Sequence, residues 1–369
     1  MPRIVCTVTT DLNHDQRMIR ICSALAQAEY EVLLIGRRLP HSPPLSDQPY
    51  AQKRLTCFFH RGKAFYLEYN LRLLFFLLVN RFDAVCAVDL DTLTPGWIIA
   101  QLKRKPVVYD AHEYFTEVPE LIGRSLTKRL WEILARAVVP RVDRAYTVGP
   151  ALAEILSARY GVPFEAVRNV PVRKRNEAPS AKAPAPVVLY QGALNRGRGL
   201  EQAIDAMAFL PNVTLWLAGE GDLSQTLRER VRQAGLQDQV RFLGRLSPDD
   251  LARETPKAWI GLNLLEAESL SYYYSLANKA FDYVQAGIPS LQMDFPEYRR
   301  LNAEWECFLL LPSLEANAIA NAISQLLADA GRYQSLAANC RQAAEIWNWE
   351  AESPKLLTLY AGVFNSRQR

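Results

Sequence analysis

The sequence predicts an α/β protein of two doubly wound parallel-sheet domains, and three observations carry that expectation. Its 369 residues suit two domains of roughly 150 residues each. Short apolar runs of strand length alternate with segments of helical spacing, the pattern of parallel sheets covered on both faces. The alternation stops in the proline-, alanine- and charge-rich stretch VRKRNEAPSAKAPAPVV and then restarts, as a linker between two similar units requires.

In chain order, PRIVCTVTT is a buried strand, Gln16 to Ala28 has helical apolar spacing, and EVLLIG is a second strand. FDAVCAVD, PVVYD and RAYTV repeat the strand pattern with helical stretches between them. The amphipathic segments Phe65–Val79 and Leu126–Val139 read mainly as core. Phe75, Phe76 and Trp131, beside Arg72, Lys128 and Arg129, also suit a lipid interface. The second unit continues with VVLYQG, a helix from Gly199, VTLWLAG, a helix from Leu223, VRFLG, AWIGLNLL, a helix over Leu276–Ala286, and IPSLQM. Ser247 and Pro248 mark a further helix start. Trp347 and Trp349 are packing anchors before a helical tail. The expected boundaries are 1–171 for the first domain, 172–186 for the linker, 187–349 for the second domain, and 350–369 for a helix crossing back to the first. Two such sheets facing one another would hold a ligand beyond the carboxyl ends of their strands, in an interdomain cleft.

Apolar residues make up 49% and charged residues 22% of the chain, which excludes a disordered or low-complexity protein. Glycine is scarce, 17 in all, yet nine fall between Gly192 and Gly287, where the backbone must turn tightly or approach something closely. Residues 1–171 hold 22 Lys/Arg against 17 Asp/Glu, while 187–369 hold 17 against 21. This balance is too weak for a nucleic-acid partner. It suits an anionic partner or an acidic membrane surface as well as it suits an ordinary solvated face. Six scattered cysteines without a CxxC pair read as reduced thiols of a cytosolic protein, and four separated histidines offer no metal-ligand spacing. The N-terminus runs straight into a strand without a signal-peptide core. The longest apolar run, Leu73 to Val79, is far short of the ~20 residues of a membrane span. The expectation is a cytoplasmic protein, soluble or peripheral at the inner face of the membrane.

Candidate chemistry concentrates at strand ends. In YQGALNRGRGLEQAI, Gly192 and Gly197 are spaced as in a P-loop, but Arg198-Gly199 stands where Lys and a hydroxyl residue are needed. That disfavours nucleotide hydrolysis. What remains is a helix N-terminus with Asn195, Arg196 and Arg198, a setting for a phosphate or diphosphate, or an ordinary turn with solvent-facing arginines. LAGEGDL (Gly219, Glu220, Gly221) and FLGRL (Phe242, Leu243, Gly244) put glycines at the next two strand ends, to lie against a base or ribose or simply to turn. In LLEAESLSYYYSLANKAFDYVQAGIPSL, Glu266, Glu268 and three tyrosines ending at Tyr274 precede Ser275 and a helix from about Leu276. Asn278 and Asp282 share a face of that helix, and Lys279 adds charge near its N-terminus. In the first half, Asp110, His112 and Glu113 in YDAHEYFTEVPE suit sugar hydroxyls, acid–base work or a polar helix start. TTDLNHDQRMIR closes the first strand with Asp11, His14, Asp15 and Arg17, the last an anion contact or a surface ion-pair member.

Together these residues resemble the retaining glycosyltransferases of family four, whose GT-B fold has two Rossmann-like domains. The likeness runs nearly end to end and is most specific from Gly192 to Pro289. By this resemblance, Arg198-Gly199 takes the place of the family's Lys-Gly turn, and KAFDYVQAGIP that of its KxFEYMAAGxP helix, whose acid, here Asp282, holds the donor ribose. Gly219–Gly221 and Phe242–Gly244 match the nucleotide-proximal loops, and His112 matches the histidine near the reacting sugar. Three departures stand out. Ala193 replaces an arginine, so that phosphate contact is either missing or supplied by Arg196. Tyr274 replaces the family's first glutamate, leaving Glu266 or Glu268 to substitute. The first loop carries Asp15-x-Arg17 instead of a double glycine, as in a subset of the family.

The resemblance implies a hexosyltransferase-type enzyme of polysaccharide biosynthesis. It would move a sugar from a nucleoside diphosphate-sugar to a hydroxyl of a glycan or lipid-linked acceptor, with retention and without a carboxylate nucleophile. Arg198, Lys279 and His112 would carry catalysis. Gly192, Asn195, Arg196, Gly199, the two glycine loops, Tyr274, Ser275, Leu276, Asn278 and Asp282 would bind the donor. Asp11, His14, Asp15, Arg17, Asp110, Glu113, Glu266 and Glu268 would meet acceptor or sugar. No cofactor beyond the co-substrate and no metal is expected. A nucleotide-sugar epimerase on the same architecture and a non-catalytic partner subunit are the alternatives.

Overall fold

The computed structural model describes residues 1–13, 15–173 and 181–365, so His14 and part of the expected linker lie outside the described residues. The chain forms two compact units, one of Met1–Asn169 with the segment from Glu352 onward, the other of Val170–Ala351.

The first unit is a parallel sheet of β1 (Arg3–Thr7), β2 (Glu31–Arg38), β3 (Ala51–Thr56), β4 (Ala84–Val88), β5 (Val107–Ala111), β6 (Arg144–Thr147) and β7 (Phe164–Ala166). The strands lie in the order β3-β2-β1-β4-β5-β6-β7. β4 and β5 are wholly buried, as continuous apolar runs inside a parallel sheet should be. The sequence pattern did not disclose β3 or β7. β3 reads AQKRLT because it is an edge strand, half open to water. Right-handed crossovers set the helix Gln16–Gln27 on one face and Gly62–Val79, Asp89–Lys103 and Ser125–Val138, packed side by side, on the other.

Of the residues expected at a lipid interface, Trp131 turns inward, packing edge-on against Phe115 at 5.0 Å and Tyr66 at 5.9 Å, and Phe76 is half-buried. Phe75 is exposed. The last helix, Trp349–Asn365, contributes to this unit from Glu352 on. There the carboxylate accepts from the Arg168 backbone N–H at 2.9 Å and from its guanidinium at 3.1 Å. Tyr360 and Phe364 pack on Tyr146 and Tyr30.

The second unit is a parallel sheet of β8 (Val187–Gln191), β9 (Thr214–Ala218), β10 (Val240–Gly244), β11 (Ile260–Asn263), β12 (Ser290–Met293) and β13 (Phe308–Leu311), the last not anticipated. The order β10-β9-β8-β11-β12-β13 reverses direction between β8 and β11. Val187, Leu189, Ala218, Ala258, Tyr283 and Ile288 form a buried cluster, and the Tyr283 hydroxyl is held at 3.0 and 3.1 Å from the carbonyls of Leu189 and Leu262.

The helix expected over Leu276–Ala286 begins at Asn278, and a short helix that the sequence pattern did not disclose precedes it. Ser269 caps the short one, Leu270–Tyr273, and the second is Asn278–Gln285. Between them Ser275 Oγ donates to Tyr272 O at 2.8 Å, and the Ala277 N–H donates to Tyr298 Oη at 3.1 Å, so these groups leave the helical ladder. All six cysteines are free and buried. Among the described residues no helix is long and apolar enough to cross a membrane.

Candidate functional site

In open parallel sheets the crevice where strand order reverses lies between loops that diverge to opposite faces, which leaves room for a ligand. In the second unit that position is the carboxyl end of β8. Gly219 has φ +153°, and a Cβ there would stand 1.8 Å from Gly192 O, so the loops after β8 and β9 meet backbone to backbone. The same two loops are tied by Leu223 N–H to Leu194 O at 2.8 Å and Asp222 N–H to Asn195 Oδ1 at 3.1 Å. Glu220 pairs with Arg228 at 3.0 Å, and the Arg228 guanidinium sits 4.3 Å over Phe242, which brings in the loop after β10. At Gly199, φ +63°, a Cβ would lie 2.4 Å from Leu264 O at the end of β11. The sequence-predicted loop residues Gly192, Asn195, Gly199, Gly219, Glu220, Gly221, Phe242 and Gly244 are thus one connected rim.

Two cations stand behind this rim. Lys279 is buried on the first turn of Asn278–Gln285, with Nζ 4.1 Å over the Tyr190 ring. A Cβ on Gly192 would come within 3.4 Å of that Nζ, so the glycine leaves the lysine its room. The Arg198 guanidinium lies 4.9 Å over the Tyr272 ring, and its Nε has no hydrogen-bond partner. Neither side chain has an ion-pair partner among the described residues. Burial, with Arg198 adding repulsion against the weaker pull of Asp282, holds the Lys279 ammonium well below the ordinary lysine range. Two like charges kept together on aromatic faces are chemically suited to an anion.

Asp282 accepts from Gln191 Nε2 at 2.9 Å, and Gln191 Oε1 in turn accepts from Thr255 at 2.8 Å, which fixes the carboxylate on the rim side of its helix. Glu266 lies beside the loop, its N–H donating to Gly197 O at 3.0 Å. Burial and then Glu268 raise its carboxyl pKa. Arg196, Asn278 and Glu268 are exposed, and Tyr274 is half-buried edge-on to Tyr273.

The corresponding reversal in the first unit lies between β1 and β4. Here charges meet their opposites. Arg17, expected as an anion contact or a surface pair member, is instead buried, with Nε and Nη2 on Asp110 at 3.3 and 2.9 Å and Nη1 on Val167 O at 2.9 Å. His112 Nε2 is 3.0 Å from Asp110 Oδ2. Burial opposes ionisation of Asp110, but Arg17 and His112 outweigh it and hold the carboxyl at about 2. Burial likewise opposes charging His112, yet Asp110 draws it up to about 9.

Sequence reasoning missed Asp89 and Asp91, which stand at the end of β4. Asp89 has φ +54° and accepts from the His112 N–H at 2.9 Å. Asp91 accepts from Thr9 Oγ1 at 2.6 Å. Burial raises both carboxyls, Asp91 to about 6. Their signal was the DLD following AVCAV, a polar break at a strand end. Glu113 is half-buried two residues from the end of β5. Asp11 holds the following loop through Ser42, Asn13 and Arg54, and Asp15 caps Gln16–Gln27 by accepting from Met18 N–H at 3.1 Å. His14 lies outside the described residues. Among the described residues no His/Cys/Asp/Glu group is arranged to hold a metal ion.

Residues 172–347 match the model of glycosyl transferases group 1, and residues 16–171 that of Glycosyltransferase Family 4. The lipopolysaccharide core biosynthesis glycosyltransferase LpsE of Rhizobium meliloti is 39% identical over 62 residues, 17% of this chain and 18% of that relative's length. The sucrose-phosphate synthase of Thermosynechococcus elongatus superposes with TM-score 0.82 at 21% identity, covering 99% of this chain and 100% of that one. HepE of Anabaena, solved with UDP and glucose, gives TM-score 0.79 at 16% identity over 98% and 100% of the two chains. The chain therefore has the GT-B fold, and the two family models, one on each half, support a family-four-like glycosyltransferase.

Proposed function

We propose that the second unit binds a nucleoside diphosphate-sugar and that the enzyme transfers the sugar, with retention, to a hydroxyl of a glycan or lipid-linked acceptor. The observation that carries this is the pair Arg198 and Lys279, two cations without carboxylate partners at the strand-order reversal. A diphosphate bound there receives both charges, and the same contacts strengthen as negative charge builds on the leaving group. The bound anion also favours the charged form of the lysine. Binding then takes up a proton, and affinity falls as pH rises through the depressed lysine pKa.

Asp282, oriented by Gln191, is the ribose acceptor in this reading. Glu266, beside the loop at Gly197, is assigned a sugar hydroxyl in the same reading. The charged His112 stabilised by Asp110 is assigned to the reacting sugar, and Asp89 and Asp91 join it as polar contacts for sugar or acceptor hydroxyls. Because the neutralising charges are side chains, turnover is expected to proceed in a chelator. HepE was solved with UDP, which makes UDP the first ligand to try.

Thermal-shift titration with UDP, GDP, ADP and TDP should reveal one stabilising nucleotide whose effect is lost in Arg198→Ala and Lys279→Ala. Equal stabilisation of both variants would remove the diphosphate assignment. Incubation with donor alone separates the readings: an epimerised nucleotide-sugar would replace transfer with epimerisation.

A further inference from the structure

The helical layer on one face of the first sheet carries an apolar surface the core does not use. On Gly62–Val79 the buried residues Phe65, Tyr69, Leu73 and Leu77 recur every four positions. A second row on the same helix, Leu67, Leu71 and Phe75, has the same spacing and is 65%, 58% and 65% exposed. A helix apolar all round is expected to be covered all round.

The helix Ser125–Val138 repeats the anomaly. It turns Leu126, Leu130 and Ile133 to solvent, at 81%, 54% and 57% exposure, with the i, i+4, i+7 spacing of a single stripe. Both helices flank Asp89–Lys103, which adds an exposed Leu102. The 5.9 Å contact of Tyr66 with Trp131 joins the outer two directly. Three neighbouring helices thus offer apolar rows where a monomer would bury them.

The charges decide what covers this surface. Arg124, Arg129 and Arg136 are exposed on or just before one helix and Lys63 on the other. The carboxylates of the two helices are already occupied. Glu68 accepts from Arg72 and from the backbone of Phe58 and Phe59, and Glu132 pairs with Arg159. Outward charge on the two helices is therefore positive. A twofold contact with a second copy would press these cations against their equivalents. A bilayer rich in anionic headgroups satisfies both features, with phosphates at the arginines and acyl chains at the leucines.

We propose that this face of the first unit lies flat on an anionic lipid surface. The inference goes beyond the donor site, no residue of which lies on Gly62–Val79 or Ser125–Val138. Attachment is in the plane of the interface, since no described helix can span a bilayer.

The test is co-sedimentation of the full chain with phosphatidylglycerol–phosphatidylcholine vesicles and with phosphatidylcholine alone. Binding is expected to the anionic mixture and to weaken as salt is raised. Arg124→Gln/Arg129→Gln should lower partitioning by about 25-fold, roughly fivefold per charge. Leu126→Gln/Leu130→Gln should lower it by at least about tenfold. Unchanged melting and an unchanged UDP response in the leucine variant would show that fold and donor site are intact, whatever the outcome for transfer. Failure of the wild type to sediment with anionic vesicles, or equal sedimentation of the variants, overturns the proposal. So does a lipid-free dimer abolished by Leu126→Gln/Leu130→Gln, which would assign the face to a second copy.

Discussion

The two units place opposite electrostatics at the same topological position. Where strand order reverses in the second unit, Arg198 and Lys279 stand together without carboxylate partners, resting on tyrosine faces beneath a glycine-lined rim. At the reversal in the first unit, Arg17 and His112 share the Asp110 carboxylate, with Asp89 and Asp91 alongside. The difference teaches what each end is prepared for. Unpaired like charges are a standing cost that only an incoming anion relieves. A closed ion-pair network needs nothing added, and in the proposed function it holds polar groups in fixed orientation for uncharged hydroxyls.

If that contrast is right, removing charge should have opposite effects on the two units. The largest change is expected from Asp110→Ala, which leaves Arg17 buried without its partner and should destabilise the chain by about 3–5 kcal/mol in urea unfolding. A loss below about 1 kcal/mol would mean the network is not closed as described. Lys279→Met should do the reverse to stability, being neutral or stabilising because an unpaired buried cation is removed. Its turnover should nevertheless fall by about 10²–10³, or ~2.7–4 kcal/mol of transition-state stabilisation. A Lys279→Met protein that melts early and turns over normally would reverse the contrast.

The smallest effect concerns pH. His112 has its pKa raised from 6.5 to about 9 in the folded chain, so its contribution is complete below pH 6.5 and disappears as pH rises to about 9. Unfolding free energy should therefore drop across that window by on the order of 1–2 kcal/mol more in the wild type than in His112→Gln, allowing for the histidine's partial exposure. Parallel pH curves for the two proteins would detach His112 from Asp110.

Much of this was legible in the chain itself. The parallel-sheet units show because each buried strand is a local apolar run and each helix a local period. The glycine loop after β8 shows because glycines at a strand end, followed by arginine and a helix, are neighbours in sequence. The edge strand AQKRLT did not show, since water on one side removes the apolar signal. The helix start at Asn278 was misplaced by two residues because the Tyr298 hydroxyl that takes the Ala277 N–H comes from a distant helix. Arg17 was read as a surface or ligand residue because its partner, Asp110, is 93 residues away.

The sequence by itself determined the order of the elements, the division into two units and the residue types at the strand ends, all consequences of short-range periodicity and backbone freedom. Only the tertiary structure decided which cations find a carboxylate and which apolar rows find cover. Arg17 and Lys279 are alike as letters, each one step inside a helix. One is neutralised across the sheet and the other is left over a tyrosine ring. Leu73 and Leu71 are two residues apart on one helix, yet one is in the core and the other faces water. Pairing and burial depend on what the rest of the chain brings within a few ångströms, and no local pattern records that.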